Sequence, residues 1–372
     1  MKILFIQKWF LYYSTQVANS VLENNEVFFI HPKRSKEVTR YGTRQEMDYL
    51  LESILDAKIT KFPLDFGQNT LDFNSYKSLI KIIRIVDRVS PDVIHLQEST
   101  FSTLFLVKLF PKIKFVYTAH DPKWHSGEKP SIFQSKRHFK KYVIQSVDSV
   151  IVHGFSLKKD VLDNFRIDSS KISVVPHITF SFYKKLSKIQ PSGSKYDLLF
   201  FGRINKYKGI DIFLKSLENI VKKFPELRVL IAGKFHNFER YKSRISSLGK
   251  NLRVVNSYIP NDFVSPIFRS SRIVVLPYLD ATQSGVIPIA FSHGKPVVAT
   301  NTGSLSEVVE EGVNGLLCEA RNFNDLSDKI LYLLNSDKNI KSFSENSRIT
   351  NKLKLSFEVI GKKHIDVYNQ II

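Results

Sequence analysis

The chain has a single cysteine, Cys318, among 372 residues. No internal disulfide can form, which suits a reducing cytoplasm. No apolar run approaches the ~20 residues that a membrane-spanning helix needs. The opening stretch "MKILFIQKWF" puts one lysine before four apolar residues and then breaks the pattern. It reads as a first buried strand rather than a secretion signal. Asp-x-Asp occurs nowhere, and no His/Cys cluster has ligand spacing. His120 and His125 stand five apart across a proline, which is poor zinc geometry, so no metal is expected. Acidic residues are scarce, 35 Asp and Glu against 55 Lys and Arg, for a net charge of +20. The excess is spread over both halves, with no basic tail and no recognisable nucleic-acid module, so nucleic acid is not an expected partner. Such a field favours nucleotide phosphates or an anionic membrane face; a merely solvated surface explains it equally well.

Apolar residues make up 43% of the chain, ample for packed cores, and the length suits two domains. Short apolar runs alternate with helical patterns throughout. In the first half the strands are "KILFIQ", "EVFFIH", "PDVIHLQ", "IKFVYTAHD", "DSVIVHG" and "KISVVPH". Residues 178–195 lose the rhythm and carry Ser, Pro, Gly and Lys, the best linker candidate. The rhythm restarts with "YDLLFFG", "LRVLIAG", "LRVVNSY", "RIVVLPY", "KPVVAT" and "NGLLCE". Near-continuous apolar strands separated by helices predict parallel sheets covered on both faces. The expected fold class is α/β, with two doubly wound Rossmann-like domains over residues 1–180 and 190–354. A final helix, about 355–372, packs back onto one of them, the first by preference. Each domain should bind ligands at the carboxyl ends of its strands.

Two stretches sit at such ends. In "FFGRINKYKGID", Gly202 lets a ligand approach the backbone, Arg203 offers a planar fork of donors, and Lys208 adds a point charge near a helix start. Cations beside a helix N-terminus are unfavourable unless an anion joins them. An exposed turn with incidental cations is the other reading of this stretch alone. In "LPYLDATQSGVIPIAFSHGKPVVAT", residues Thr282, Gln283, Ser284 and Gly285 lie where a helix should begin, so their amides face a site fit for phosphate oxygens.

Together these stretches resemble the C-terminal half of the retaining family-4 glycosyltransferases, which have the two-domain GT-B fold with a central cleft. "PDVIHLQ", "YTAHD", "SVIVHG" and "KISVVPH" follow the family's order in the first half, so the resemblance covers most of the chain. It implies a nucleotide-diphosphate sugar as co-substrate, with no separate cofactor, held mainly by the second domain. Arg203 and Lys208 match the family's diphosphate-binding pair, Ser284, Gly285 and Val286 its phosphate and sugar loop, and Tyr258 and Ile259 the segment whose backbone reads the base. His120 matches a histidine that faces the donor sugar. The implied acceptor is a hydroxyl of a glycan or lipid-linked precursor, in bacterial cell-surface polysaccharide synthesis.

Departures matter too. The family commonly carries two glutamates eight positions apart, where this chain has Ala281 and Ile289. Asp280 can stand in for the first; for ribose, Gln283 and Ser284 are the remaining candidates. "QKWFLYYSTQ" lacks the family's glycine pair after the first strand and offers aromatics and Lys8 instead. The missing carboxylates leave room for a non-catalytic relative, and the fold also suits a nucleotide-sugar epimerase. The basic stretch "SKRHFKKYV", with Lys136, Arg137, Lys140 and Lys141, suits anionic lipid heads, alongside Trp9, Phe10, Tyr12 and Tyr13 at a crevice mouth. The expected place is the cytoplasm, peripheral on the inner membrane face.

Overall fold

The computed structural model describes residues 1–33, 44–66, 73–122, 134–187, 189 and 193–372. The chain divides into two compact units. One takes Met1–Pro122, the stretch up to Ile178, and Phe357–Ile372; the other takes Thr179–Ser356.

The first unit is a seven-stranded, all-parallel sheet. Its strands are β1 (Lys2–Ile6), β2 (Glu26–Pro32), β3 (Thr60–Leu64), β4 (Val93–Leu96), β5 (Lys114–Thr118), β6 (Ser149–Val152) and β7 (Ile172–Val174). Their order is β3-β2-β1-β4-β5-β6-β7. Ile3 pairs with Val27 on one side and Val93 on the other, so the order reverses between β1 and β4. That switch point is where an open α/β sheet leaves a crevice. Helices α3 (Phe73–Val89), α4 (Phe101–Leu109) and α5 (Gln134–Ser146) cover one face, burying Leu79, Ile82, Val86, Leu106, Val143 and Ile144 against Leu4, Ile94 and Phe115. Each such side chain contributes about 1.5–3 kcal/mol by leaving water. Helix α1 (Leu11–Ser20) pairs with the last helix, α14 (Phe357–Ile371). Gly361 makes this possible: a Cβ there would lie 2.3 Å from the Ser20 carbonyl oxygen.

Strand β3 escapes a reading by apolar runs. "TKFPL" alternates, carries Pro63, and sits at the sheet edge, where a missing N–H costs nothing.

The second unit has six parallel strands: β8 (Tyr196–Phe201), β9 (Val229–Ala232), β10 (Leu252–Val255), β11 (Ser271–Leu276), β12 (Val297–Thr300) and β13 (Gly315–Cys318). Their order is β10-β9-β8-β11-β12-β13, with the reversal between β8 and β11. Helix α8 (Ile210–Lys223) buries Phe213, Leu214 and Leu217 on one face of the sheet. Helices α10 (Asn261–Arg269) and α11 (Val286–Ser292) bury Val264, Phe268 and Ile287 in the other cluster. The stretch expected as pure linker holds a short helix, Phe182–Leu186, packed on α10, because Phe180 and Tyr183 find apolar partners in the cluster that α10 helps to form. Both sheets are therefore doubly wound and Rossmann-like.

Candidate functional site

In the second unit the two predicted stretches emerge side by side, from β8 and β11, at the strand reversal. Gly202 follows β8 with φ +111°. Only glycine takes this conformation readily, and a Cβ there would lie 3.0 Å from Lys208 Nζ. A side chain there would crowd the Lys208 ammonium. Lys208 is 9% exposed, while Arg203 points into solvent.

Lys208 Nζ donates to Tyr278 Oη at 3.2 Å, just past the end of β11. Tyr278 Oη lies 3.3 Å from Ser284 Oγ, which accepts the Val286 N–H at 3.2 Å. The partner of this buried ammonium is thus a phenol, not a carboxylate. Burial holds Lys208 below the usual lysine range; the Tyr207 phenol opposes this and Arg203 adds to it. Burial also pushes Tyr278 up to about 12. A buried cation with only neutral partners is costly until an anion arrives.

The loop between β11 and α11 holds a second mark. Gln283 Oε1 is the one buried side-chain polar atom without a hydrogen-bond partner among the described residues. An orphaned acceptor of this kind costs about 1–3 kcal/mol. Its place, one residue before Ser284, calls for a donor from outside the chain.

The structure changes some details of the expected site. The Val286 amide is spent on Ser284 Oγ, so it is not an open phosphate donor. Gly285 caps α11. Ala281 and Ile289 are buried in the core, which accounts for apolar residues there. Tyr258 is 40% exposed and Ile259 is buried. Tyr278 was not singled out by sequence, although the buried strand ending in "LPY" beside the loop was a usable signal.

In the first unit, His120 sits in a network of buried histidines at the carboxyl ends of β4 to β7. Its Nε2 is 2.8 Å from Gln97 Oε1 and its Nδ1 is 3.0 Å from His153 Nε2. His153 Nδ1 reaches the Val175 carbonyl at 3.0 Å, and His177 Nδ1 the Ile178 carbonyl at 2.9 Å. His95 joins Thr118 Oγ1 and, across to α14, Tyr368 Oη, both at 2.7 Å. His364 Nε2 is 3.3 Å from Tyr13 Oη. Phe10 stacks on His120 with centroids 4.0 Å apart. Both nitrogens of His120 are engaged and one ring face is covered, so within this unit it is a packed residue rather than an open one.

Burial lowers every one of these histidines. His153 and His364 fall to about 4 and His177 to about 3; His95 and His120 fall well below 6.5. Neutral rings then fix the proton directions. His153 Nδ1–H must donate to the Val175 carbonyl, so its Nε2 accepts from His120 Nδ1–H. His120 Nε2 is left as a lone pair, so the Gln97 amide, whose O and N are assigned from the network, sets its NH2 toward His120 and its oxygen toward His95 Nε2. Among the described residues no group of His, Cys, Asp or Glu has the arrangement of a metal site.

The loop after β1 is filled by the protein itself. Glu98 Oε1 accepts the Lys8 and Trp9 amides at 3.1 and 2.6 Å and the Gln7 side chain at 3.0 Å. Tyr13 is 2% exposed, and Phe10 is committed to His120, so neither forms the expected aromatic rim.

Comparisons with known proteins fit this geometry. Residues 25–178 match the family described as Glycosyltransferase Family 4, and residues 195–336 match Glycosyl transferases group 1. An uncharacterized glycosyltransferase of Methanocaldococcus jannaschii is 30% identical over 239 residues, 62% of each chain. One of Haemophilus influenzae is 26% identical over 303 residues, 79% of this chain and 81% of its own. A D-inositol 3-phosphate glycosyltransferase of Corynebacterium kroppenstedtii is 23% identical over 70% of this chain, and the match spans 63% of that relative's length. Among solved structures, the Anabaena protein HepE in complex with UDP and glucose gives a TM-score of 0.76 at 15% identity, covering 100% of both chains. A glycosyltransferase of Rickettsia africae gives 0.73 at 18% identity, covering 100% of this chain and 98% of its own.

Proposed function

This chain is a GT-B glycosyltransferase in its fold and in the families its two halves match, and from that premise we propose that it moves a sugar from a nucleotide-diphosphate donor to a hydroxyl acceptor, with retention and without a metal. One observation carries the reading. The Lys208 ammonium lies buried at the strand reversal, beside Arg203, with a phenol as its partner. A diphosphate supplies the missing anion. The complex of HepE with UDP is a solved neighbour of the same fold, which supports a nucleotide donor here.

Breaking the anomeric bond to diphosphate builds negative charge on the leaving phosphate. Lys208 and Arg203 are placed to take that charge, the role a metal fills elsewhere. Same-face attack, with a leaving phosphate oxygen accepting the acceptor's proton, gives retention without an enzymic nucleophile. Gln283 Oε1 accepts a hydroxyl hydrogen from the donor, the task that Ile289 cannot perform. The acceptor belongs to a lipid-linked or cell-surface glycan precursor at the inner face of a membrane, a setting that the basic charge supports.

A thermal-shift screen against nucleotide sugars, followed by product analysis with and without acceptor, tests this. The expected outcome is stabilisation by one nucleotide class and transfer with retained anomeric configuration. An isomerised free sugar nucleotide would make the enzyme an epimerase; no turnover at all would make it a binding protein.

A further inference from the structure

We propose that the outer face of α3 and α4 is a docking surface for an anionic lipid bilayer. The two helices lie in one layer on the seven-stranded sheet, with Leu79, Ile82, Val86 and Leu106 turned inward. On the outward side of α3, Lys77, Lys81, Arg84 and Arg88 recur at helical spacing and are exposed. Beside this stripe Tyr76 is 66% and Ile80 44% exposed. Helix α4 adds Phe105 at 41% and Leu109 at 44%, with Lys108 between them. The exposed acid on these two helices is Asp87 alone.

The chemistry selects the partner. Cations alone would suit any polyanion. Ile80 and Leu109 gain nothing from a phosphate backbone, but they gain from the acyl boundary beneath lipid headgroups. Aromatic rings such as Tyr76 favour that same interface. Each cation near an anionic surface is worth about a fivefold gain in partitioning. α3 also starts just after the carboxyl end of β3, so Tyr76 and Lys77 sit toward the crevice end of the sheet.

This surface is separate from the one expected from "SKRHFKKYV". Lys136 and Arg137 lie outside the described side chains, and Lys140 Nζ donates to the Asp121 carbonyl at 2.6 Å. The inference rests on the membrane part of the reading above and not on the transfer chemistry.

The test is co-sedimentation of the full chain with phosphatidylcholine vesicles, with and without phosphatidylglycerol, at low and high salt. The wild type should bind only the anionic vesicles and release at high salt. The variant Lys77→Gln/Lys81→Gln/Arg84→Gln/Arg88→Gln should lose about six-hundredfold in partitioning. Tyr76→Ser/Ile80→Ser should lose about tenfold while keeping its salt dependence. A control in α8, Lys215→Gln/Lys222→Gln/Lys223→Gln, should lose less than about threefold. All variants should keep the wild-type melting temperature and UDP affinity, which separates this surface from the donor site. A wild type that ignores anionic vesicles, or a control that loses as much as the α3 variant, overturns the proposal. Tight RNA binding that the Tyr76/Ile80 variant retains would assign the face to nucleic acid instead.

Discussion

Lowering the pH from 7 to 5 should destabilise the first unit by several kcal/mol. The buried histidines supply the reason. Each has a folded pKa below its unfolded value of 6.5, so the unfolded chain binds protons that the folded chain refuses. Stability is therefore full above 6.5 and is lost as pH falls toward the folded values. A histidine held near 4 or 3 loses about 2 kcal/mol at pH 5. His153, His177 and His364 together lose about 6 kcal/mol on that basis. Glu98 opposes them. Burial raises it to about 7, against the Trp9 and Lys8 amides, so its proton is taken up in the folded state first. That returns about 2 kcal/mol over the same interval. The balance is a loss of about 4 kcal/mol, before His95 and His120 add theirs in the same direction. Against a typical total of ~5–15 kcal/mol, this is a large share. Urea unfolding and scanning calorimetry from pH 7 to 5 would measure it. Among the described residues of the second unit only His293 is a histidine lowered in this way, to about 4, so its transition should move less. A first-unit midpoint that stays flat or rises toward pH 5 would refute the neutral-network argument.

Arg203→Ala and Lys208→Ala should each lower transfer by about a hundredfold or more, some 3 kcal/mol in the transition state, with the melting curve preserved; a double variant with near-normal turnover would end the diphosphate assignment. Tyr278→Phe removes an acceptor that favours charged Lys208. Its UDP affinity, followed by calorimetry, should begin to fall at a lower pH than in the wild type, and an unmoved alkaline limb would show that the phenol does not hold the lysine. Activity should survive EDTA; full loss, restored by Mg²⁺ or Mn²⁺, is the contrary result. His120→Ala, which empties a packed site in the histidine network, should lower the melting temperature of the first unit; an unmoved melting curve would show that the network does not hold that unit together.

Much of the fold was legible because buried parallel strands are short and apolar. "YDLLFF", "VLIA" and "VVAT" could hardly be anything else between helical patterns. β3 was not, since an edge strand needs neither a continuous apolar run nor every N–H. The cation pair was legible from its place after a strand. What could not be read was how completely its neighbours would be used. The Val286 amide closes on Ser284, and Lys208 finds Tyr278 from a loop seventy residues away. Nor could spacing reveal the histidine network, whose members lie on separate strands and on α14. Parallel topology brings the carboxyl ends of β4 to β7 together, and only the folded sheet shows it.

The return of α14 to the first unit has a consequence for biosynthesis. Tyr368 and His364 are fully buried there, yet they are made after the whole second unit, Thr179–Ser356. At ~5–20 residues per second, the first unit waits about 10–40 s for its last helix. The stretch Thr179–Ser356 is made before α14 and can fold while the first unit is still open. Folding on the ribosome should then run against the order of synthesis, with the groove on α1 the last apolar surface to close and the natural place for a chaperone to hold.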